Sequence, residues 1–253
     1  MFPFRVVIPA RYASSRLPGK MLADMGGKPM LQHVHARALE SGAHSVVIAT
    51  DDARIQKAAE AFGATVCMTA GHHPTGTDRI AEVASTLGYL PEDIIVNVQG
   101  DEPFIPPALI RQVAEDLHAC PRAHLTTLYT PIQTVEALFN PHHAKVVMDK
   151  EGYALYFSRA PIAWDRDRFP PADKNAALHT PHFRHIGLYA FRAGFLQQYT
   201  QWEVSPLEEI EKLEQLRILW HGGHIHLTQA QEAVPGDVNT AEDLKRAQRF
   251  VTQ

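Results

Sequence analysis

The sequence predicts an α/β fold with a mostly parallel central sheet and helices on both faces. Two patterns carry that expectation: short β-branched apolar runs alternate with segments of helical apolar spacing, and glycines close those segments. The first strand is Arg5–Ile8, preceded by apolar Phe4 and followed by Pro9, whose missing N–H is expected to stop the ladder. Ser45–Ala49, Thr65–Met68 and Ile94–Val98 read as further strands, the last being the most apolar. Between them, Met30–Leu39, Ala53–Phe62 and Asp78–Leu87 read as helices, with Gly63 closing the second and Gly88 the third. Sheets of this kind bind ligands outside the carboxyl ends of their strands. The polar exits after Ile8 and Val98 should therefore face one crevice.

After about residue 124 the rhythm changes. Leu125–Tyr129, Lys145–Met148, Ala154–Ser158 and Ile186–Phe191 follow one another as strands with few helices between, which predicts a smaller mixed-sheet part. The stretch from Ala163 to Arg184, with three prolines and many charges, has no period and reads as a long loop. Ser205-Pro206-Leu207-Glu208 opens a helix, with Ser as N-cap, Pro in the first turn and Glu three residues on. It is expected to run to about Trp220, ended by Gly222 and Gly223. A last helix, opened by Thr240, reaches Val251. Residues 1–253 are read as one domain, with about 1–124 and about 125–253 as its two parts.

At 253 residues the chain can bury a large core. Its 24 basic and 28 acidic residues, formally −4, form no long block of either sign, which disfavours a nucleic-acid groove or an anionic membrane surface. No stretch approaches the roughly 18 to 20 apolar residues a membrane span needs. Cys67 and Cys120 have no C-x-x-C partner, and no signal peptide is recognisable, so the expected location is the cytoplasm with both thiols reduced.

Chemistry concentrates in three segments. Arg11, Arg16 and Lys20 lie in the short loop after the first strand, where they can surround a triphosphate and place Lys20 beside the departing pyrophosphate. From charge alone a solvated basic loop serves equally well, and neither common glycine-rich phosphate loop is present. Ile94 to Val98 ends in Gln99-Gly100-Asp101, which puts a carboxylate at the sheet's top edge, where a divalent cation bridging phosphates needs an oxygen ligand. A turn with a solvated Asp is the alternative. Asp237, just before the last helix, taken alone reads as ordinary N-terminal decoration. His221-Gly222-Gly223-His224-Ile225-His226 is the densest histidine group among 15. It lacks a supporting cysteine or carboxylate pattern, and its glycines deny it helical i, i+4 geometry, so zinc is not expected there.

Together these segments resemble a known family. Val7-Ile8-Pro9-Ala10-Arg11-Tyr12-Ala13-Ser14-Ser15-Arg16-Leu17-Pro18-Gly19-Lys20, Thr75-Gly76-Thr77-Asp78-Arg79-Ile80 and Val96-Asn97-Val98-Gln99-Gly100-Asp101-Glu102-Pro103, in that order, are similar to the 3-deoxy-manno-octulosonate cytidylyltransferases. The similarity continues through Tyr156–Ile162, His185–Phe191, Leu213–Arg217 and Gly236–Thr240, nearly the whole chain. Met21 stands where the family motif reads Pro, a change that removes no charge.

The resemblance implies a Rossmann-like, glycosyltransferase-A-like fold that transfers CMP from CTP to 3-deoxy-D-manno-octulosonate (Kdo), releases pyrophosphate, serves lipopolysaccharide biosynthesis and uses magnesium. It further implies that Lys20, Arg16, Asp101 and Asp237 are catalytic, and that Pro9, Ala10, Arg11, Arg16, Lys20, Thr75, Gly76, Arg79 and Gln99 surround CTP. Gln99, Arg159, His185, Tyr189, Glu214 and Gln215 would line the Kdo pocket, with an Arg gripping the sugar carboxylate bidentately. Asp101 and Asp237 would hold magnesium, one ion at the CTP phosphates and another at the attacking hydroxyl. His185 is read as a sugar hydrogen-bonding group and not as a base, and a homodimer built from the mixed-sheet part is implied. Activation of sialic acid or 8-amino-Kdo, or an inactive nucleotide-binding module, are the competing readings. The Gln99–Pro103 string favours Kdo, and the joint presence of Lys20, Asp101 and Asp237 favours an enzyme.

Overall fold

The computed structural model describes residues 2–13, 17–73, 75–170 and 177–251. Its strands are β1 (Phe4–Pro9), β2 (Asp24–Met25), β3 (Lys28–Pro29), β4 (Ser45–Thr50), β5 (Thr65–Met68), β6 (Ile94–Asn97), β7 (Leu125–Pro131), β8 (Lys145–Met148), β9 (Ala154–Ser158), β10 (Phe183–Arg192) and β11 (Ile225–Gln229). The α-helices are α1 (Met30–Glu40), α2 (Ala53–Ala61), α3 (Gly76–Thr86), α4 (Pro107–Ala119), α5 (Val135–Phe139), α6 (Ala193–Tyr199), α7 (Pro206–Glu211), α8 (Leu216–Trp220) and α9 (Ala241–Val251).

The main sheet runs β11-β7-β10-β6-β1-β4-β5, with β8 and β9 joined beside β10. Along that path β10 alone runs against its neighbours; β1, β4, β5 and β6 are mutually parallel, as β7 and β11 are. The later strands thus continue the first sheet through the β6–β10 pairing. Successive residues of β1 serve opposite cores. Val6 and Ile8 pack with Met30, Val34, Leu109 and Val113, while Val7 packs with Ile80, Ala84 and Leu196. Burial on both faces explains why these strands read as continuous apolar runs, and each such side chain contributes about 1.5–3 kcal/mol.

Three expectations need correction. Pro9 does not end the first strand: it stays in register with Ala49, and the Ala10 N–H donates to Ala49 O at 2.8 Å. Because strand N–H groups alternate sides, the proline nitrogen faces β6, whose pairing stops at Val7 with Asn97. The single helix expected from Pro206 to Trp220 is two, α7 and α8, broken at Lys212, which takes φ 54°. Across the break Arg217 grips Glu208 with two hydrogen bonds of 2.7 Å, and Leu213 and Leu216 are buried. Tertiary packing there outweighs local helical preference. Finally, α4 and β11 form where neither was expected. The Ala163–Arg184 stretch is irregular until β10 begins at Phe183, with 171–176 outside the described residues. The last helix is capped as expected, Thr240 Oγ1 accepting from Asp243 N–H at 3.1 Å.

Candidate active site

The carboxyl ends of β1 and β6 are adjacent, so the loops after Pro9 and Asn97 meet. Gly100 is required by this approach and not by an unusual backbone angle. A Cβ there would stand 2.9 Å from Met21 Sδ and 3.1 Å from Pro9 O. Met21 is itself buried, so the residue that departs from the family motif packs against the loop carrying Asp101.

Lys20 ties three segments together. Its Nζ lies 2.6 Å from Asp101 Oδ2 and donates to Val238 O at 3.3 Å and Asn239 Oδ1 at 3.2 Å. Val238 N–H in turn donates to Asp101 O at 2.9 Å, and Asn239 Nδ2 bonds the Asp237 carboxylate. The Lys20, Asp101 and Asp237 segments, more than 200 residues apart at the extremes, therefore converge. Between them Glu102, which had no assigned role, buries its Oε2 without a hydrogen-bond partner. Its carboxyl is pushed up to about 8, first by burial and then by the charges of Asp101 and Asp237. An acidic cluster short of positive charge, built from hard oxygen donors, fits a divalent cation of the magnesium type.

A second group gathers at the N-terminus of α3. Arg11 donates to His73 O at 2.6 Å and Thr75 O at 3.0 Å, and Thr75 caps α3 in a box with Asp78. Gly76 faces the Pro9 ring, Ala10 is buried, and Arg79 is wholly buried. The Arg79 guanidinium bonds Thr69 and lies 3.1 Å from Asp51, leaving Nε without a partner. Pro9, Ala10, Arg11, Thr75, Gly76 and Arg79 are thus neighbours at one strand exit, beside a helix end whose N–H groups suit anions. Arg16 lies outside the described residues.

A polar cleft of about 340 Å³ opens between the acidic cluster and β10. Gln99, Glu102, Arg184, His185, Tyr189, Glu214 and Asp237 line it. Behind its wall a hydrogen-bond chain fixes the His185 tautomer. Thr127 Oγ1 donates to Ile186 O at 2.8 Å, so it accepts from His185 Nε2 at 3.0 Å. Nδ1 is then left to accept from Gln215 Nε2 at 3.4 Å, while Gln215 Oε1 accepts from Tyr189 Oη at 3.4 Å. Burial, with the Arg184 charge second, lowers the His185 pKa to about 3. A neutral ring with both nitrogens engaged positions other groups and is no general base. Glu214 accepts from Thr77 Oγ1 at 2.9 Å, and burial raises its pKa.

Arg159 does not join the cleft lining. Its Nε donates to Glu211 O at 2.6 Å and its NH1 to Pro141 O at 2.9 Å. Arg184 stands in the cleft instead. Its signal in the sequence was only its position next to His185, inside a stretch read as loop.

The match to known proteins is extensive. A model of the family described as cytidylyltransferase matches residues 5–227. The 3-deoxy-manno-octulosonate cytidylyltransferase of Coxiella burnetii (strain Dugway 5J108-111) is 55% identical over 98% of this chain and 99% of its own. That of Vibrio cholerae serotype O1 (strain M66-2) is 56% identical over 99% and 98%. A solved structure of a CMP:2-keto-3-deoxy-manno-octonic acid synthetase complexed with CTP superposes with a TM-score of 0.90 at 38% identity, covering 100% of this chain and 99% of that one. In fold, in length and in sequence from end to end, the chain belongs to the cytidylyltransferase family, among its 3-deoxy-manno-octulosonate members.

Proposed function

We propose that the protein transfers CMP from CTP to Kdo, releasing pyrophosphate and forming CMP-Kdo for lipopolysaccharide biosynthesis. The names and near-complete coverage of the relatives support the reaction. The observation that carries it on the structure is the convergence of Lys20, Asp101 and Asp237 at the mouth of a cleft lined by Gln99, His185 and Glu214.

The physical problem is repulsion between an anionic sugar acid and a more highly charged nucleotide. In the proposed arrangement Arg11 and the α3 N-terminus hold the loop that faces the triphosphate, and Arg16 and Lys20 offset its charge. Lys20 stabilises the departing pyrophosphate, where charge grows as the bond breaks. Asp101 and Asp237 would hold magnesium, which when bound supplies neutralisation of the phosphates and a more acidic sugar hydroxyl. Glu102, adjacent to both, is the third carboxylate available to that site.

On the sugar side, Gln99, Tyr189 and Glu214 present hydrogen-bonding groups to the hydroxyls, and the His185–Gln215 pair, whose polar atoms are already engaged, holds Tyr189 in place from behind. Arg184 is the cation we assign to the sugar carboxylate, because it lines the cleft while Arg159 is held by backbone carbonyls outside it. A homodimer is part of the same reading. Leu155 on β9 and Ile210 on α7 are 63% and 79% exposed, apolar surface of the kind a partner copy covers. We place the reaction in the cytoplasm; no helix among the described residues is long and apolar enough to cross a membrane.

The test is pyrophosphate release from CTP and magnesium with Kdo, then with N-acetylneuraminate and 8-amino-Kdo. Release with Kdo at the highest kcat/KM is expected. Preference for another acid would change the substrate, and no release with any of them would leave a binding module.

A further inference from the structure

The histidines of the 221–226 turn lack a cysteine or carboxylate nearby in sequence, but the fold supplies both from α4. Asp116 and Cys120 lie one turn apart at the carboxyl end of that helix, and β11 carries His226 against them. Asp116 Oδ2 is 2.8 Å from His226 Nδ1. Cys120 Sγ is 3.6 Å from the same nitrogen and 3.7 Å from Asp116 Oδ1. All three donor atoms fall within 4.8 Å of one another, and the carboxylate and imidazole side chains are 8% and 13% exposed.

The other imidazole nitrogen is already committed. His226 Nε2 donates to Glu151 O at 3.0 Å, the outer contact by which a metal-bound histidine commonly has its tautomer fixed. Gly152 makes room for it, since a Cβ there would lie 2.8 Å from Nε2. With Nε2–H so used, Nδ1 of the neutral ring turns a lone pair toward a carboxylate oxygen. Two acceptors this close need a cation between them. A proton serves that pair, and Asp116 accordingly raises the His226 pKa. The Cys120 thiol keeps its own proton and donates weakly to Asp116 Oδ1, so a larger cation that replaces both protons would bind all three donor atoms at once. In a tetrahedral zinc site, with bonds of about 2.0 Å to N and O and about 2.3 Å to S, donor atoms stand about 3.3 Å (N···O) and about 3.5 Å (N···S) apart. The Cys120–His226 spacing already meets this, and the Asp116–His226 pair needs to open by only about 0.5 Å.

We propose that Asp116, Cys120 and His226 form a site for a thiophilic divalent cation of the zinc class, with water as fourth ligand. Thiolate and imidazole select such an ion over magnesium, which separates this site from the acidic cluster at the cleft. One aspartate and one thiolate balance the dication. Loading expels to the buffer the Cys120 thiol proton and the proton shared by Asp116 and His226, with no change of oxidation state. The ion would staple the end of α4 to β11, the strand that leads into the cleft-lining residues Val234, Pro235 and Asp237.

Cobalt(II) reports on this site directly. Chelator-treated full-length protein is titrated with cobalt while the near-ultraviolet thiolate-to-cobalt charge-transfer band is followed. One equivalent should bind and be displaced by zinc. The band should vanish in Cys120→Ser, survive in Cys67→Ser, and need at least 10-fold more cobalt in Asp116→Asn. Zinc should raise the Tm of the wild type and not of Cys120→Ser, whose CMP-transfer rate stays normal. Should Cys120→Ser lose its native circular dichroism, His226→Gln gives the same reading. Absence of the band, or its persistence in Cys120→Ser or His226→Gln, overturns the proposal.

Discussion

Acidification should destabilise this protein through His185 by an amount the structure allows to be worked out. The ring is buried, its Nε2–H is held by Thr127, and its Nδ1 accepts from Gln215, so a second proton has no place to go. Its pKa of about 3 lies below the ordinary value of 6.5. Between those two values the unfolded chain binds the proton and the folded one does not, so stability falls as pH drops through that window. From pH 7 to pH 5 the loss is about 2 kcal/mol, and it hardly changes if the folded value is 4 instead of 3, because both lie below pH 5. For a chain of this size that is a fall in Tm of about 4–8 °C. Other histidines titrate too, so the measurement is a difference. Urea unfolding of wild type and His185→Gln is followed at half-unit steps from pH 7.5 to 5. The wild type's stability relative to the variant should decline by about 2 kcal/mol toward pH 5. A difference that stays flat would mean that His185 takes up its proton in the folded state, and the deduced tautomer and its hydrogen-bond chain would be wrong.

Lys20→Ala should lower kcat by roughly 10²- to 10³-fold, the usual worth of one transition-state donor; an effect confined to KM would limit Lys20 to binding CTP. Asp101→Asn should lose most turnover while keeping the wild-type far-ultraviolet circular dichroism, and near-normal rates at saturating magnesium would remove Asp101 from the metal site. Arg184→Gln should raise the KM for Kdo at least 10-fold while leaving that for CTP within about 3-fold, since a charged hydrogen-bond partner is worth about 1.5–3 kcal/mol. Arg159→Gln producing that pattern instead would return the carboxylate to Arg159.

The parallel half of the fold was legible because its strands are buried on both faces: Val6, Val7 and Ile8 are all apolar, and that run survives without knowledge of its neighbours. Capping chemistry was equally local where it was read, as Ser205 and Thr240 demonstrate. What escaped depended on distant partners. Lys212 adopts a left-handed backbone without being glycine because the Glu208–Arg217 pair and Leu213 lie on either side of it. No element is expected from the sequence between Ile94–Val98 and Leu125, yet Pro107 sits at the first turn of α4, where a missing N–H costs nothing. In the candidate site, type and motif single out Lys20, Asp101 and Asp237, and the structure brings their segments together. Glu102 was hidden beside Asp101, since nothing local distinguishes a solvated carboxylate from one whose oxygen is buried unpaired. Asp116, Cys120 and His226 belong to segments about a hundred residues apart, and only the packing of α4 on β11 makes them a set.

One cleft should hold both reactants, triphosphate on the Lys20 side and sugar acid on the His185 side. A crystal structure with CTP, magnesium and an unreactive Kdo analogue measures this directly. The triphosphate should lie between the Arg11–Lys20 loop and Asp101 and Asp237, and the analogue against Gln99, Arg184, Tyr189 and Glu214 with its anomeric oxygen facing the α-phosphorus. A triphosphate bound away from Asp101 and Asp237, or an analogue outside the His185 wall, would contradict it.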